Sequence, residues 1–437
     1  MARQEFMMDG KPYPEMERKE EFDYVSGKYP DYPHSFLIKT DCVRRGVTFT
    51  KEAITELQDL SYEHTAQLLF QFHSFDHAAF EVPFVFVLSD GTHVGIRLSP
   101  PEFEPYTIDF KDGKFFLFSN PDDEPLEEIN FYRRPEWYDK MTSTGYPMQF
   151  ILQRSVLDCG CNVTMAHCHY WNKGEQCKFC DIDHNTKVQL KRGHKFRTRC
   201  KPQELYEACC EWLKNSSPGE NRHIFVNGGS DPRNDYEFDY ELNVAFIEAA
   251  NKAGRDTIGE DFVVPILLIA NPFKEEHMIG LKEAGLSGYG IYLEIWDPDK
   301  FAAICPGKNR LGRDTWMKRM VKAVEIFGES HVNCAFVAGA EMSPAPYGFS
   351  DIDEAVNSTL EGARWCADHG VVPTATNWFI EPGSVFYDLG AVEPPLEYYA
   401  RMDLGRYAIL KGAGLSCDSL GWKSQPWSCY PDFQRLL

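Results

Sequence analysis

The chain has no run of about 18 apolar residues, the length a helix needs to cross a bilayer, so no membrane-spanning segment is expected. It has no dense run of Lys or Arg either. With 45 basic and 66 acidic side chains its net charge is −21. That balance repels a phosphate backbone, and nucleic acid is not expected as a partner. The first residues, Met1 to Tyr24, are charged and polar and lack the apolar core of a secretion signal. Fourteen Cys without such a signal read as thiols and metal ligands in a reducing compartment, so the cytoplasm is the expected location. Low-complexity tracts and repeat identity are also missing.

What is present is the composition of a packed globular protein, 43% hydrophobic and 14% aromatic over 437 residues. That length suffices for a barrel-sized domain and one smaller unit. Three segments are expected: an N-terminal α+β domain at 1–145, a barrel at 146–394, and a helix with a short tail at 395–437. In the first, Thr50 to Phe72 carries a helical apolar stripe. Val82–Leu88 and His93–Leu98, then Tyr106–Phe110 and Lys114–Phe118, read as two antiparallel strand pairs around Asp-Gly turns. Asn120–Glu128 reads as a loop. His64, His73 and His77 are spaced loosely, as expected of partly buried or solvated side chains.

From Met148 the pattern becomes alternation. Strands are expected at Met148–Leu157, His223–Val226, Phe262–Ile269, Gly288–Glu294, Val332–Val337 and Val371–Phe379. Helices follow at Pro202–Leu213, Tyr240–Ala253, Phe273–Ala284, Arg313–Phe327, Ile352–His369 and Leu396–Leu410. Six strand–helix units predict an α/β fold with a parallel sheet and right-handed crossovers, curled as a partial (β/α)6 TIM-like barrel. The segment Lys411–Leu437, with Cys417 and Cys429, is expected to pack across one barrel end.

In such barrels reactive groups gather at the C-terminal ends of strands, and the unusual residues fall there. Cys168-His169-Tyr170-Trp171-Asn172-Lys173-Gly174-Glu175-Gln176-Cys177-Lys178-Phe179-Cys180 follows the first strand. Asn227-Gly228-Gly229-Ser230-Asp231 follows the second, and Glu294 ends the fourth. Gly339-Ala340-Glu341 closes the fifth, and Glu381-Pro382-Gly383-Ser384 follows the sixth. Three thiols can hold three irons of a four-iron cluster and leave the fourth iron open to a small ligand. Zinc is the rival: Cys168, Cys177 and Cys180 with His167 or His169 make a plausible structural site. Two glycines after a strand are also ordinary turn chemistry, and Glu294 and Glu341 could be solvated strand ends. Cys305, Cys334 and Cys366 read as small core residues, and Cys200, Cys209 and Cys210 as helix packing.

The Cys-x2-Cys with Phe179 before its last Cys, plus an earlier Cys, resembles the cluster loop of the radical S-adenosylmethionine (SAM) superfamily. Eight residues separate Cys168 from Cys177, against the usual three, and Cys159 or Cys161 could take the place of Cys168. The resemblance covers about 148–390. It implies a 4Fe-4S cluster on Cys168, Cys177 and Cys180, with SAM on its open iron. It also implies that Gly228, Gly229, Ser230 and Asp231 meet the methionine amino group, that Glu294 accepts the ribose hydroxyls, and that the run ending in Glu341 lies beside adenine. Reductive cleavage of SAM would then start radical chemistry on a small organic substrate, fed by ferredoxin or flavodoxin. Two further readings stand beside it, a zinc-stabilised α/β protein and an iron–sulfur protein without SAM chemistry.

Overall fold

The structure, a computed structural model, describes residues 4–59, 61–63, 82–121, 123–191, 197, 199–217, 222–421 and 423–436. Its larger sheet holds six parallel strands in chain order: Gly160–Met165, Ile224–Gly228, Ile266–Ala270, Gly288–Ile291, Val332–Ala338 and Val372–Asn377. A seventh, Gln153–Arg154, pairs antiparallel at the first strand's free edge. The middle strands read Ile266-Leu267-Leu268-Ile269-Ala270 and Gly288-Tyr289-Gly290-Ile291 because a parallel sheet covered on both faces leaves no room for alternation. The helix Arg313–Phe327 is bounded by Gly312 and Gly328, whose φ values of 83° and 101° suit only glycine without strain. Asp351 caps the helix Ile352–Asp368, its carboxylate accepting the N–H groups of Asp353 and Glu354.

The first strand lies later than the sequence suggests. Met148–Phe150 forms one 3-10 turn, Leu157 takes φ 53°, and the chain reverses through a Ser155 N–H bond to Cys159 O at 2.8 Å. The true strand, Gly160-Cys161-Asn162-Val163-Thr164-Met165, is too polar to announce itself. Its Asn162 is nevertheless fully buried and donates to Ile151 O at 2.5 Å.

A second sheet has the order Val47–Phe49, Tyr106–Lys111, Lys114–Phe118, Pro125–Phe131, Val85–Val87 and His93–Gly95. Both hairpins form as expected. The stretch read as a loop supplies a strand, since Ile129 is buried against this sheet's core while the acids around it stay in water. The expected helix from Thr50 starts on a Thr50 cap but ends at Leu57, and Tyr62 bridges to Arg133. Residues 64–72 of that stretch, and with them His64, as well as His73 and His77 beyond it, lie outside the described residues.

Residues from the two chain ends meet on the barrel. Val25, Phe36 and Leu37 pack with Leu396, Ala400, Cys429 and Phe433. The tail closes the lumen from the strands' N-terminal side, where Leu415, Cys417, Leu420 and Tyr430 cluster with Phe225, Leu267, Ile269 and Val372. A fully buried Lys39–Asp432 ion pair at 2.6 Å ties tail to N-terminal helix. Among the described residues no helix is long and apolar enough to cross a membrane.

Candidate active site

The loop after the first strand folds back on itself so that its distant thiols meet. Cys168 O accepts from Trp171 N, Tyr170 O accepts from Glu175 N at 2.9 Å, and Gly174 takes the left-handed conformation that ends the 3-10 turn. Tyr170, only 3% exposed, anchors this loop. Its hydroxyl meets that of Tyr236 at 2.8 Å, and its ring lies so close to Gly307 that a Cβ there would stand 2.4 Å from it. The eight intervening residues are therefore a closed lobe, and Cys168 returns beside Cys177 and Cys180. Each of the three sulfurs lies within electrostatic reach of another.

Burial pushes the Cys168 thiol up to about 11, while a hydrogen bond with Cys305 and burial push Cys177 up. Burial and the Asp181 carboxylate do the same for Cys180. Three backbone N–H groups point at sulfur, those of Ser230 and Tyr170 at Cys168 and that of Ile182 at Cys180. Among the described residues no three His, Cys, Asp or Glu side chains stand close enough to hold a single metal ion. His167 and His169, the candidate zinc partners, face the carboxylates of Asp183 at 2.9 Å and Asp231 at 3.4 Å. Soft thiols further apart than one ion tolerates, with N–H donors on sulfur, suit an iron–sulfur cluster. Phe179 packs, half-buried, on the main core beside them.

Cys159 and Cys161 lie toward the start of the first strand, away from this loop. Cys159 is 3% exposed with its sulfur 3.4 Å from His223 Nε2. Cys161 pairs in register with Phe225, four residues and thus roughly 13 Å of strand before Met165.

Gly228 and Gly229 are required by the fold itself. A Cβ on Gly229 would stand 1.9 Å from His167 O and 2.8 Å from Cys168 Cα, and one on Gly228 would stand 2.7 Å from Thr164 Oγ1. The pair lets the second strand's end press against the thiol loop, fastened by His169 N–H to Ser230 O at 2.9 Å. Ser230 Oγ bonds with the Asn271 side chain. Asp231 is fully buried and engaged: Arg233 hydrogen-bonds to it and holds its carboxyl below the usual range. Beside it Asp239, pushed up to about 7 by burial, accepts from Asp231 N and Asn271 Nδ2. A small cavity of about 20 Å³, room for about one water, lies between Thr164, Gly229, Ser230, Asp239 and Asn271.

The fourth strand stops at Ile291, short of the expected Glu294, which lies three residues on, bridged to Phe336 of the fifth strand, with φ 73°, an uncommon conformation for this residue type. The Glu294 N–H donates to Ala335 O and its C=O accepts from Val337 N, so the fifth strand holds the bend. The carboxylate accepts a hydrogen bond from Lys308 Nζ, which also donates to Tyr292 O at 2.9 Å. Both Glu294 and Lys308 lie within electrostatic reach of Cys177. Glu341 turns elsewhere: it is buried, accepts from Thr359 Oγ1 at 2.6 Å, from Tyr398 and from Gly339 N, and its carboxyl is raised by burial. That is a structural lock on the helices behind the fifth strand.

No family model matches the chain. It is 23% identical over 268 residues to bacteriochlorophyllide c C-7(1)-hydroxylase of Chlorobaculum limnaeum, covering 59% of this chain and 61% of that one. The chain thus spans about three fifths of that relative's length. It aligns with methylornithine synthase at TM-score 0.38 and 16% identity, over 60% of this chain and 70% of that one. With a maturase of the FeFe-hydrogenase the values are 0.39 and 16%, over 61% and 52%. With a radical SAM methyltransferase from Sphaerobacter thermophilus they are 0.34 and 12%, over 76% and 70%.

Four residues of this site carry no signal read from the sequence. Tyr170, Tyr236, Cys305 and Lys308 are far apart in the chain or ordinary in type. The one local hint is the run Cys305-Pro306-Gly307-Lys308 just after the fourth strand, on the barrel face where reactive groups gather.

Proposed function

We propose that the protein is a radical SAM enzyme that cleaves SAM reductively to begin chemistry on a small organic substrate. The observation that carries the reading is the return of Cys168 to Cys177 and Cys180 through the Tyr170-anchored lobe, despite the long spacing. These three residues would hold the cluster, and the N–H groups of Ser230, Tyr170 and Ile182 would stabilise the charge on its sulfurs. A 4Fe-4S cluster, when bound, supplies one electron at low potential to the sulfonium of SAM. Ser230, on the tight turn after Gly229, and Glu294, at the bend three residues past the fourth strand, are the polar groups proposed to orient SAM. Asp231 would act indirectly, since Arg233 and His169 already occupy its carboxylate. The lumen floor closed by Leu420 and Tyr430 would keep water from the reacting centre. A ferredoxin or flavodoxin is the proposed electron donor, and the reducing cytoplasm is the proposed compartment.

The test is anaerobic reconstitution with iron and sulfide, then reduction with SAM and chromatography of the products. Formation of 5′-deoxyadenosine with about four irons per chain supports the reading. Cys177→Ala and Cys180→Ala should abolish the cluster, and full iron content in either variant refutes the ligand set. Colourless protein that returns zinc and no iron would favour a zinc-stabilised fold instead. A cluster that leaves SAM intact would favour an iron–sulfur protein without SAM chemistry.

A further inference from the structure

We propose that Asn271 is a positioning residue for SAM, taking up the proton of the Ser230 hydroxyl so that the Ser230 oxygen is left as an acceptor for the amino group. The inference rests on the reading that the turn after Gly229 meets SAM at the cluster.

Asn271 follows directly on the third strand, Ile266–Ala270, and is buried. Its C=O accepts from the hydroxyl of the fully buried Tyr289, which itself accepts from Phe273 N at 3.1 Å. Its amide Nδ2 donates to Asp239 Oδ2 at 3.1 Å, and the same carboxylate oxygen accepts from Asp231 N at 2.9 Å. One buried carboxylate thus ties the Asn271 side chain to the backbone of the glycine turn. On the other side of that turn His169 N donates to Ser230 O at 2.9 Å. The main chain at Ser230 is held from both directions, and the half-buried side chain is what remains to be set.

The Ser230 hydroxyl lies over the Asn271 amide, 3.2 Å from Oδ1 and 3.1 Å from Nδ2. Asp239 decides which way the amide points. Its Oδ2 already accepts from Asp231 N, so the group facing it must be the donor Nδ2. Oδ1 is then turned to Ser230, and among the described residues no other donor reaches it. A buried acceptor left without a donor is costly, so the Ser230 proton goes to Oδ1. A freely rotating hydroxyl donates or accepts alike, but one whose proton is placed has only lone pairs to offer. An amino group brings N–H donors and suits that oxygen, whereas a carboxylate does not.

The experiment measures iron per chain and SAM affinity, by equilibrium dialysis, on anaerobically reconstituted and unreduced protein. Wild type, Asn271→Leu, Ser230→Ala and the double variant are compared. Each single variant should weaken SAM about tenfold at unchanged iron, and the double variant also about tenfold, because Asn271 acts only through Ser230. 5′-Methylthioadenosine, which lacks the amino group, should bind all four alike. A loss of about a hundredfold in the double variant overturns the proposal, as independent sites would add. SAM binding unchanged in N271L, or methylthioadenosine weakened as much as SAM, overturns it too. If N271L takes up no iron, the smaller Asn271→Ala is read through the same cycle. Loss of iron from both makes Asn271 a structural residue and overturns the proposal. Wild-type protein that takes up no cluster, or holds one and binds no SAM, overturns the reading beneath and is seen before any variant is compared.

Discussion

Replacing Gly229 by Ala separates two explanations of the paired glycines. If they exist only to admit a ligand, a methyl group there should spare the protein alone and weaken SAM binding. The structure argues otherwise. The new Cβ would lie 1.9 Å from His167 O, against 3.4 Å at the near edge of ordinary contact, so backbone must move by roughly 1.5 Å. Nothing flexible is available to yield: the next neighbours are His167 C and Cys168 Cα. Overpacking of this kind costs about 1–3 kcal/mol. Losing the Gly229 N–H bond to Met165 O or the His169 N–H bond to Ser230 O adds about 1 kcal/mol each. A loss of about 2–4 kcal/mol is therefore expected without any cofactor, read as a lower urea midpoint of the apoprotein. Because the displaced backbone carries Cys168, reconstituted G229A should also hold less than half the wild-type iron. Gly412→Ala is the control. It lies inside the helix Leu396–Ala413 with nothing within 4 Å of its would-be Cβ, and it should be neutral or stabilising by up to about 1 kcal/mol. Wild-type stability and iron content in G229A would refute the packing argument.

Glu341→Ala should strip three buried donors of their acceptor and cost about 3 kcal/mol in the apoprotein by urea titration, whereas intact stability with weaker SAM binding would restore a role beside adenine. His93, 4% exposed, lies against Ser424 Oγ and Tyr132 OH, and burial, with Lys39 and Arg435 nearby, lowers its pKa to about 3. The unfolded chain then binds a proton that the folded one refuses. Wild-type stability should thus fall relative to His93→Gln by about 1.4 kcal/mol per unit as pH drops from about 6.5 toward 3, with no such difference above 7. Arg319→Met should free Asp235, which Arg319 grips at 3.0 and 2.7 Å, and loosen the left-handed run Asn234-Asp235-Tyr236. Tyr236 would then lose its hold on Tyr170, and the expected result is faster iron loss to a chelator than from wild type.

The sequence by itself determined the barrel. Helix Arg313–Phe327 and strand Val332–Ala338 lie where periodicity puts them, because a buried parallel sheet and the helices covering it impose their own spacing on apolar residues. It also brought the unusual residues to the strands' C-terminal ends, since chain order and strand direction fix that face. Local pattern failed where polar residues are buried by partners distant in the chain, as in Gly160–Met165, or where a strand keeps one wet face, as in Pro125–Phe131. The finer roles were decided only by tertiary structure. Which thiol returns to Cys177, why Gly229 tolerates no side chain, and whether Glu341 faces a ligand or a helix all depend on through-space contacts. Tyr170 against Tyr236 joins residues more than sixty positions apart, and no one-dimensional period records such a meeting.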